Sequence, residues 1–152
     1  THFEWQNTIM IVSTRGRYAL RVMVDLAQHQ EDGYVPLNVI AGRQDISEKY
    51  LESILKVLVQ DELLTGLRGR GGGYRLTKEP KDYTLGEILR LTEGSLAPVA
   101  CTDDGEHDCP RKESCPSHPV WQKLDTMIND FFDGITLADL IQPSEQSKEK
   151  LS

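Results

Sequence analysis

The fold class this sequence predicts is mainly α, with one small β-hairpin and a long helix behind it. Three observations predict it. Apolar residues recur at three- and four-residue spacing between Tyr18 and Leu58, and again between Val120 and Phe132, the period of helices that bury one face. Four glycines in the stretch 69–73 separate two short extended runs, as in a tight hairpin. The 152 residues are 38% hydrophobic and 27% charged, which suits one globular unit able to bury a core.

The elements follow in order. Residues 1–9 lack a pattern and precede an internal Met10; they read as an expression scar or an upstream extension. Tyr18-Ala19-Leu20, Val22-Met23 and Leu26-Ala27 form one broad face of a first helix, which Gly33 ends. Pro36 stands where a helix-initiating proline belongs, ahead of Leu37, Val39, Ile40 and Ala41. Ser47 is a strong N-cap for a third helix carrying Tyr50-Leu51, Ile54-Leu55 and Leu58. Leu63-Leu64 and Leu67 lead into Arg68-Gly69-Arg70-Gly71-Gly72-Gly73, and Tyr74-Arg75-Leu76 returns the hairpin. Thr84-Leu85-Gly86-Glu87 is a capping-box pattern opening a helix to about Thr92, with Gly94 as C-cap. Residues 98–119 hold four prolines and no periodicity, so they read as loop. Val120 to Phe132 is a longer helix closed by Gly134, and Thr136-Leu137-Ala138-Asp139 opens a last short turn. The polar tail 143–152 is expected to lack order. The divisions are therefore 10–94, a DNA-binding unit; 95–119, a cysteine loop; 120–142, a long helix and terminal turn; and 143–152, the tail.

Charge is divided unevenly. Residues 13–75 hold nine Lys/Arg against eight Asp/Glu, and residues 76–152 hold eight against fifteen, within a net charge of −7. Such asymmetry suggests two jobs in one chain, with only the front half suited to phosphate. Apolar runs such as Met10-Ile11-Val12 are far short of the ~20 residues that span a bilayer. With no secretory opening, the expectation is a cytoplasmic protein that does not engage a membrane.

The two helices around Gln44-Asp45-Ile46, followed by the hairpin, make a winged helix-turn-helix. The second of them presents Ser47, Lys49, Tyr50, Glu52 and Ser53 near its N-terminal end, where the helix dipole and open N–H groups favour a phosphate or a base edge. Arg68 and Arg70 sit among glycines at the hairpin tip, able to enter a narrow minor groove. Arg15 and Arg17 add positive charge on the first helix. Against this stands a plain all-α reading: helix–loop–helix patterns are common, and a Gly-rich turn with two arginines is usually a mobile loop. It is not a phosphate loop, because Gly-Lys-Ser/Thr is missing.

All three cysteines, Cys101, Cys109 and Cys115, fall within fifteen residues. An odd, clustered set without a secretory signal points to metal or redox chemistry rather than disulfides. The spacing Cys101-x7-Cys109-x5-Cys115-x2-His118 offers three soft thiolates that iron–sulfur clusters and zinc both accept. His118 is the nearest fourth donor, and His107, inside the same loop, is its rival.

Ile40-Ala41, Ile46-Ser47, Tyr50-Leu51-Glu52, Leu63-Leu64, Arg68-Gly69 and Gly72-Gly73-Tyr74 resemble the winged-helix family of the bacterial iron–sulfur cluster regulator. That family also holds nitric-oxide-sensitive and cysteine-metabolism repressors. The opening Ser13-Thr14-Arg15-Gly16-Arg17-Tyr18-Ala19 is similar to its first helix, and the likeness runs from about Met10 to Ile141. The resemblance implies a transcription regulator rather than an enzyme, operator DNA as partner, and a 2Fe–2S cluster held by Cys101, Cys109, Cys115 and His118. Cys101 and Cys109 stand wider apart than in the family's enterobacterial-type pattern, a length a flexible loop tolerates cheaply. Replacing one thiolate by a neutral imidazole makes reduction easier than at an all-cysteine site. Asp103, Asp104, Glu106 and Asp108 either oppose this or simply solvate the loop.

The stripe Trp121, Leu124, Met127, Ile128, Phe131 and Phe132 could pack into the chain's own core. The resemblance implies instead a homodimer through this helix, hence paired half-sites in the operator. Glu52 is either a solvated charge pairing with Lys49 or Lys56, or an acid that tunes base preference by accepting from cytosine. The competing readings are a nitric-oxide or iron sensor with a 4Fe–4S cluster, a zinc-stapled structural module, and a thiol redox enzyme, for which no Cys-x-x-Cys is present.

Overall fold

The computed structural model describes residues 12–102 and 110–152. Residues 1–9, and Cys109, His107 and the four acids of the loop, lie outside the described residues.

Helix α1 (Thr14–Gln28) begins where Ser13 accepts from the Gly16 amide. It buries Ala19, Val22, Met23 and Leu26. It stops at Gln28, before the expected Gly33. A one-turn 3-10 helix, Gln30–Asp32, intervenes, and Gly33 at φ 71° ends that turn instead. Helix α2 (Leu37–Gln44) starts one residue after the expected position: Pro36 is extended and serves as its N-cap. Asp45, left-handed at φ 53°, turns the chain into α3 (Glu48–Gln60), which Ser47 caps through the Tyr50 amide as expected.

Strands β1 (Leu64–Leu67) and β2 (Gly73–Leu76) pair antiparallel, Leu64 opposite Leu76 and Leu67 opposite Gly73. Two backbone hydrogen bonds between Val35 and Tyr74 tie β2 to the segment before α2. At Gly73 a side chain would strike the Val35 carbonyl, so only glycine permits this approach. The buried Tyr83 hydroxyl donates to the Leu63 carbonyl at 2.7 Å and accepts from the Thr77 and Lys78 amides. This pins the exit of the hairpin to its entry.

Helix α4 (Leu85–Glu93) packs along α1. Its capping box is half formed. Thr84 accepts from the Glu87 amide, but the Glu87 carboxylate pairs with Lys78. Both halves of a box form at Thr136 and Asp139, at the start of α6 (Leu137–Ile141). Helix α5 (His118–Asp133) begins two residues before Val120, with Pro119 in its first turn. Arg90 holds it against α4 through Asn129 and Asp133.

The tail does not lack order. Residues 145–151 form α7 (Glu145–Leu151), capped by Ser144. Ser147 is buried and donates to Asp139 at 2.7 Å. A local cap and two bonds to Asp139, from Ser147 and from Lys150, outweigh the polar composition on which the opposite expectation rested. No helix among the described residues is long and apolar enough to cross a membrane.

Candidate nucleic-acid interface and cysteine site

The exposed N-terminal end of α3 carries Ser47, Lys49, Glu52 and Ser53. A groove of about 670 Å³ separates α3 from the hairpin, lined by Glu52, Lys56, Gln60, Arg68 and Tyr74 among others. Arg68 and Arg70 are exposed across it. The tip between them requires glycine: Gly69 and Gly71 have φ of 90° and 75°, and a side chain at Gly72 would collide with the Leu67 carbonyl. Arg17 is exposed on α1 and donates to Thr14.

Three residues expected to face outward are engaged inside the chain. Tyr50 is half-buried, with its ring edge-on to Tyr18 at 5.8 Å. The Ser53 hydroxyl donates to the Tyr50 carbonyl at 2.6 Å, and the Ser53 backbone carbonyl accepts from the Arg15 guanidinium at 3.2 Å. Arg15 is thus a tie between α1 and α3. Among the described residues Glu52 forms no ion pair with Lys49 or Lys56, so the pairing foreseen for it is absent.

Behind this surface lies a buried polar cluster that the sequence reading missed. Asp25 is 2% exposed and accepts from Arg43 Nε at 3.0 Å, Arg43 at its second nitrogen at 2.6 Å, and Gln44 Nε2 at 2.8 Å. The Asp25 hydrogen bond raises the pKa of Arg43 above its ordinary value. Arg21 lies over the Tyr18 ring and donates to the Gln44 side chain and backbone. The cluster fixes the turn of the helix-turn-helix to α1. Its one sequence signal is an acid at position 25 among the apolar residues of a core-facing stripe.

In the back half, Cys101 lies in a one-turn 3-10 helix, Ala100–Thr102, that packs against α5. Cys115 lies just before α5, its Sγ 3.2 Å from Ser117 Oγ. Hydrogen bonding from Ser117 pulls the Cys115 thiol below its ordinary pKa, with help from the His118 amide and Arg111. Both described cysteines are free thiols. His118 is the first residue of α5; its side chain is buried, and among the described residues neither ring nitrogen has a hydrogen-bond partner. A buried imidazole without partners is costly, and an acceptor nitrogen facing a metal would relieve it. Among the described residues no three donors are gathered closely enough to hold an ion. The donor types nonetheless fit a Cys3His site: a half-buried thiol just before α5, a second in a turn that packs on α5, and a histidine at the start of α5.

The apolar stripe of α5 divides. Phe132 packs against the core of the front half, and Trp121 and Ile128 are half-buried. Val120, Leu124, Met127 and Phe131 stand 58%, 37%, 56% and 50% exposed. Their i, i+4, i+7, i+11 spacing places them on one continuous face.

Comparison with known proteins adds the following. The family model for Rrf2, described as an iron-dependent transcriptional regulator, matches residues 12–143. The chain is 36% identical over 136 residues to the HTH-type transcriptional regulator IscR of Aliivibrio salmonicida, covering 90% of this chain and 80% of that protein. Its fold is similar to T. potens IscR, with a TM-score of 0.67, 38% identity and 90% of each chain covered. It is also similar to CymR, the global cysteine regulator of B. subtilis, with a TM-score of 0.70, 34% identity, and 88% and 98% coverage.

Proposed function

This chain belongs to the Rrf2 family of transcriptional regulators, and from that premise we propose that it is a cytoplasmic homodimer that binds operator DNA and senses iron–sulfur status through a 2Fe–2S cluster. The observation that carries the sensing role is the buried His118 with both ring nitrogens unpartnered among the described residues, three residues after a Cys115 thiol held below its ordinary pKa. Cys101, Cys109, Cys115 and His118 would hold the cluster. When bound, it supplies a one-electron centre and a covalent tie between loop and helix.

The chain's own residues do the remainder. Lys49 and Arg17 contact phosphate, and Arg68 and Arg70 reach the minor groove from the glycine tip. Ser47 retains a hydroxyl proton for phosphate or base while its oxygen caps α3. Glu52, exposed and unpaired beside the wing groove, disfavours purine acceptors and tolerates a cytosine amino group. Tyr50, Ser53 and Arg15 hold α3 in place rather than reading bases. Val120, Leu124, Met127 and Phe131 form the centre of the dimer interface, flanked by Trp121 and Ile128. The two-fold then presents two wings to paired half-sites.

The test is anaerobic reconstitution with iron and sulfide. Wild type should become red-brown and hold both elements, and Cys101→Ala, Cys109→Ala and Cys115→Ala should not. His118→Ala should bind the cluster more weakly, or shift its potential. A colourless protein that takes up zinc at full stoichiometry instead would overturn the cluster reading in favour of a zinc-stapled loop. A spectrum and iron content of a 4Fe–4S centre would replace the cluster type while leaving the ligands.

A further inference from the structure

Helix α4 ends at Glu93, Gly94 turns the chain at φ 80°, and only seven residues separate Glu93 from Cys101. The Glu93 carboxylate does not face solvent alone. Its Oε1 accepts from the Ser13 amide at 3.0 Å and from the Ser13 hydroxyl at 2.7 Å. The same hydroxyl accepts from the Gly16 amide and so caps α1. At the buried Gly16 a Cβ would strike this carboxylate oxygen, so glycine leaves the Glu93 carboxylate free to sit on the first turn of α1. From that same turn Arg15 reaches the Ser53 carbonyl of α3, and one turn on Tyr18 meets Tyr50 of α3. Between Glu93 and Leu96, which is buried, the entry to the cysteine loop is anchored.

We propose that Glu93 is a positioning residue for DNA recognition: its carboxylate seats the first turn of α1 on the end of α4, and through Arg15 and Tyr18 this sets α3 relative to the cysteine loop. The proposal rests on the reading of that loop as the sensing element. A carboxylate with two donors from Ser13 at a helix N-terminus is a strong, directional tie. It joins two elements that otherwise meet through apolar side chains, which slide more freely. A shift of the loop that moves Gly94 therefore moves the cap of α1, and α3 with it. Linkage requires the converse: DNA held by α3 biases the loop.

The experiment compares full-length wild type with Glu93→Ala, Ser13→Ala and Ser13→Thr. Thr84→Ala serves as a control that removes the cap at the other end of α4. Amide hydrogen exchange is first followed on the metal-free chain. Exchange over residues 47–53 should rise about threefold or more in Glu93→Ala and Ser13→Ala. Ser13→Thr, which keeps the hydroxyl, and Thr84→Ala should leave it at the wild-type rate. Affinity for a duplex selected from a random pool by wild type is then measured with reconstituted and metal-free protein. The ratio between the two states should fall to within about twofold in Glu93→Ala. Exchange raised only over 13–17, with the affinity ratio unchanged, would make Glu93 a helix cap and overturn the proposal. If wild type itself binds DNA equally in both states, the sensing reading fails, and the exchange data still decide whether Glu93 positions α3.

Discussion

Between α1 and α4 most large apolar side chains point inward, Val39 and Leu67 excepted, and Leu51, Ile54, Leu55 and Leu58 of α3 are wholly buried. Along α5 the reverse holds, with Val120, Leu124, Met127 and Phe131 left to solvent. The polar groups differ in the same sense. Asp25 in the front half is buried with its acceptors filled by Arg43 and Gln44, whereas His118 in the back half is buried with both nitrogens unpartnered among the described residues. The front half is thus satisfied within one chain. Among the described residues the back half has an apolar face and a polar group left unmatched. A reader of DNA must present a rigid surface, and a sensor must keep groups available for something that comes and goes.

That contrast can be broken or sharpened by substitution. The largest effect is expected at Arg43→Ala, which strands the Asp25 carboxylate in the core. The loss of stability in urea unfolding should be about 3 kcal/mol, the lower end for a broken buried pair because the guanidinium reaches solvent; a loss below about 1 kcal/mol would show the cluster to be incidental. Phe131→Asp should weaken self-association about 100-fold, or roughly 2.7 kcal/mol, as read by sedimentation. Monomer stability should change by about 0.5 kcal/mol or less. An unchanged sedimentation profile would remove the α5 face from the interface. Lys49→Ala should weaken DNA binding for all sequences and lower the salt slope by about one ion; an unaltered slope would take Lys49 off the phosphate. The smallest effect is at Asp139→Asn. Ser147 and the Thr136 amide hold the Asp139 carboxyl below its usual range. Its stabilisation is therefore present above the unfolded-state pKa and lost as pH falls through the folded one. The variant should be less stable by about 0.5–1 kcal/mol at pH 7, and the difference should fade below about pH 4. A difference that does not shrink as pH falls below about 4 contradicts this.

What the sequence revealed follows from the range of each signal. Ser47 and Thr84 were legible as caps because donor and acceptor lie three residues apart. The hairpin was legible because glycine is the residue such a tip needs. The bond from Ser13 to Glu93 spans eighty positions, and no local pattern announces it. Asp25 left a trace, an acid in an apolar stripe, but its partners come from another helix. Tyr50 and Ser53 were placed correctly on α3, yet the Tyr50 ring turns toward Tyr18 of α1, and Arg15 of α1 takes the Ser53 backbone carbonyl. The α7 helix was hidden by its polar composition, since its anchors are themselves polar, the Ser147 hydroxyl and the Lys150 ammonium on Asp139.

The central claim is that the occupant of the cysteine loop and the DNA on α3 are linked. The direct measurement is an anaerobic fluorescence-anisotropy titration of one selected duplex with reconstituted wild type, repeated after the iron is removed by chelation. The account predicts two dissociation constants at least about fivefold apart, with the difference abolished in Cys115→Ala. Superimposable curves for the two wild-type states would contradict it.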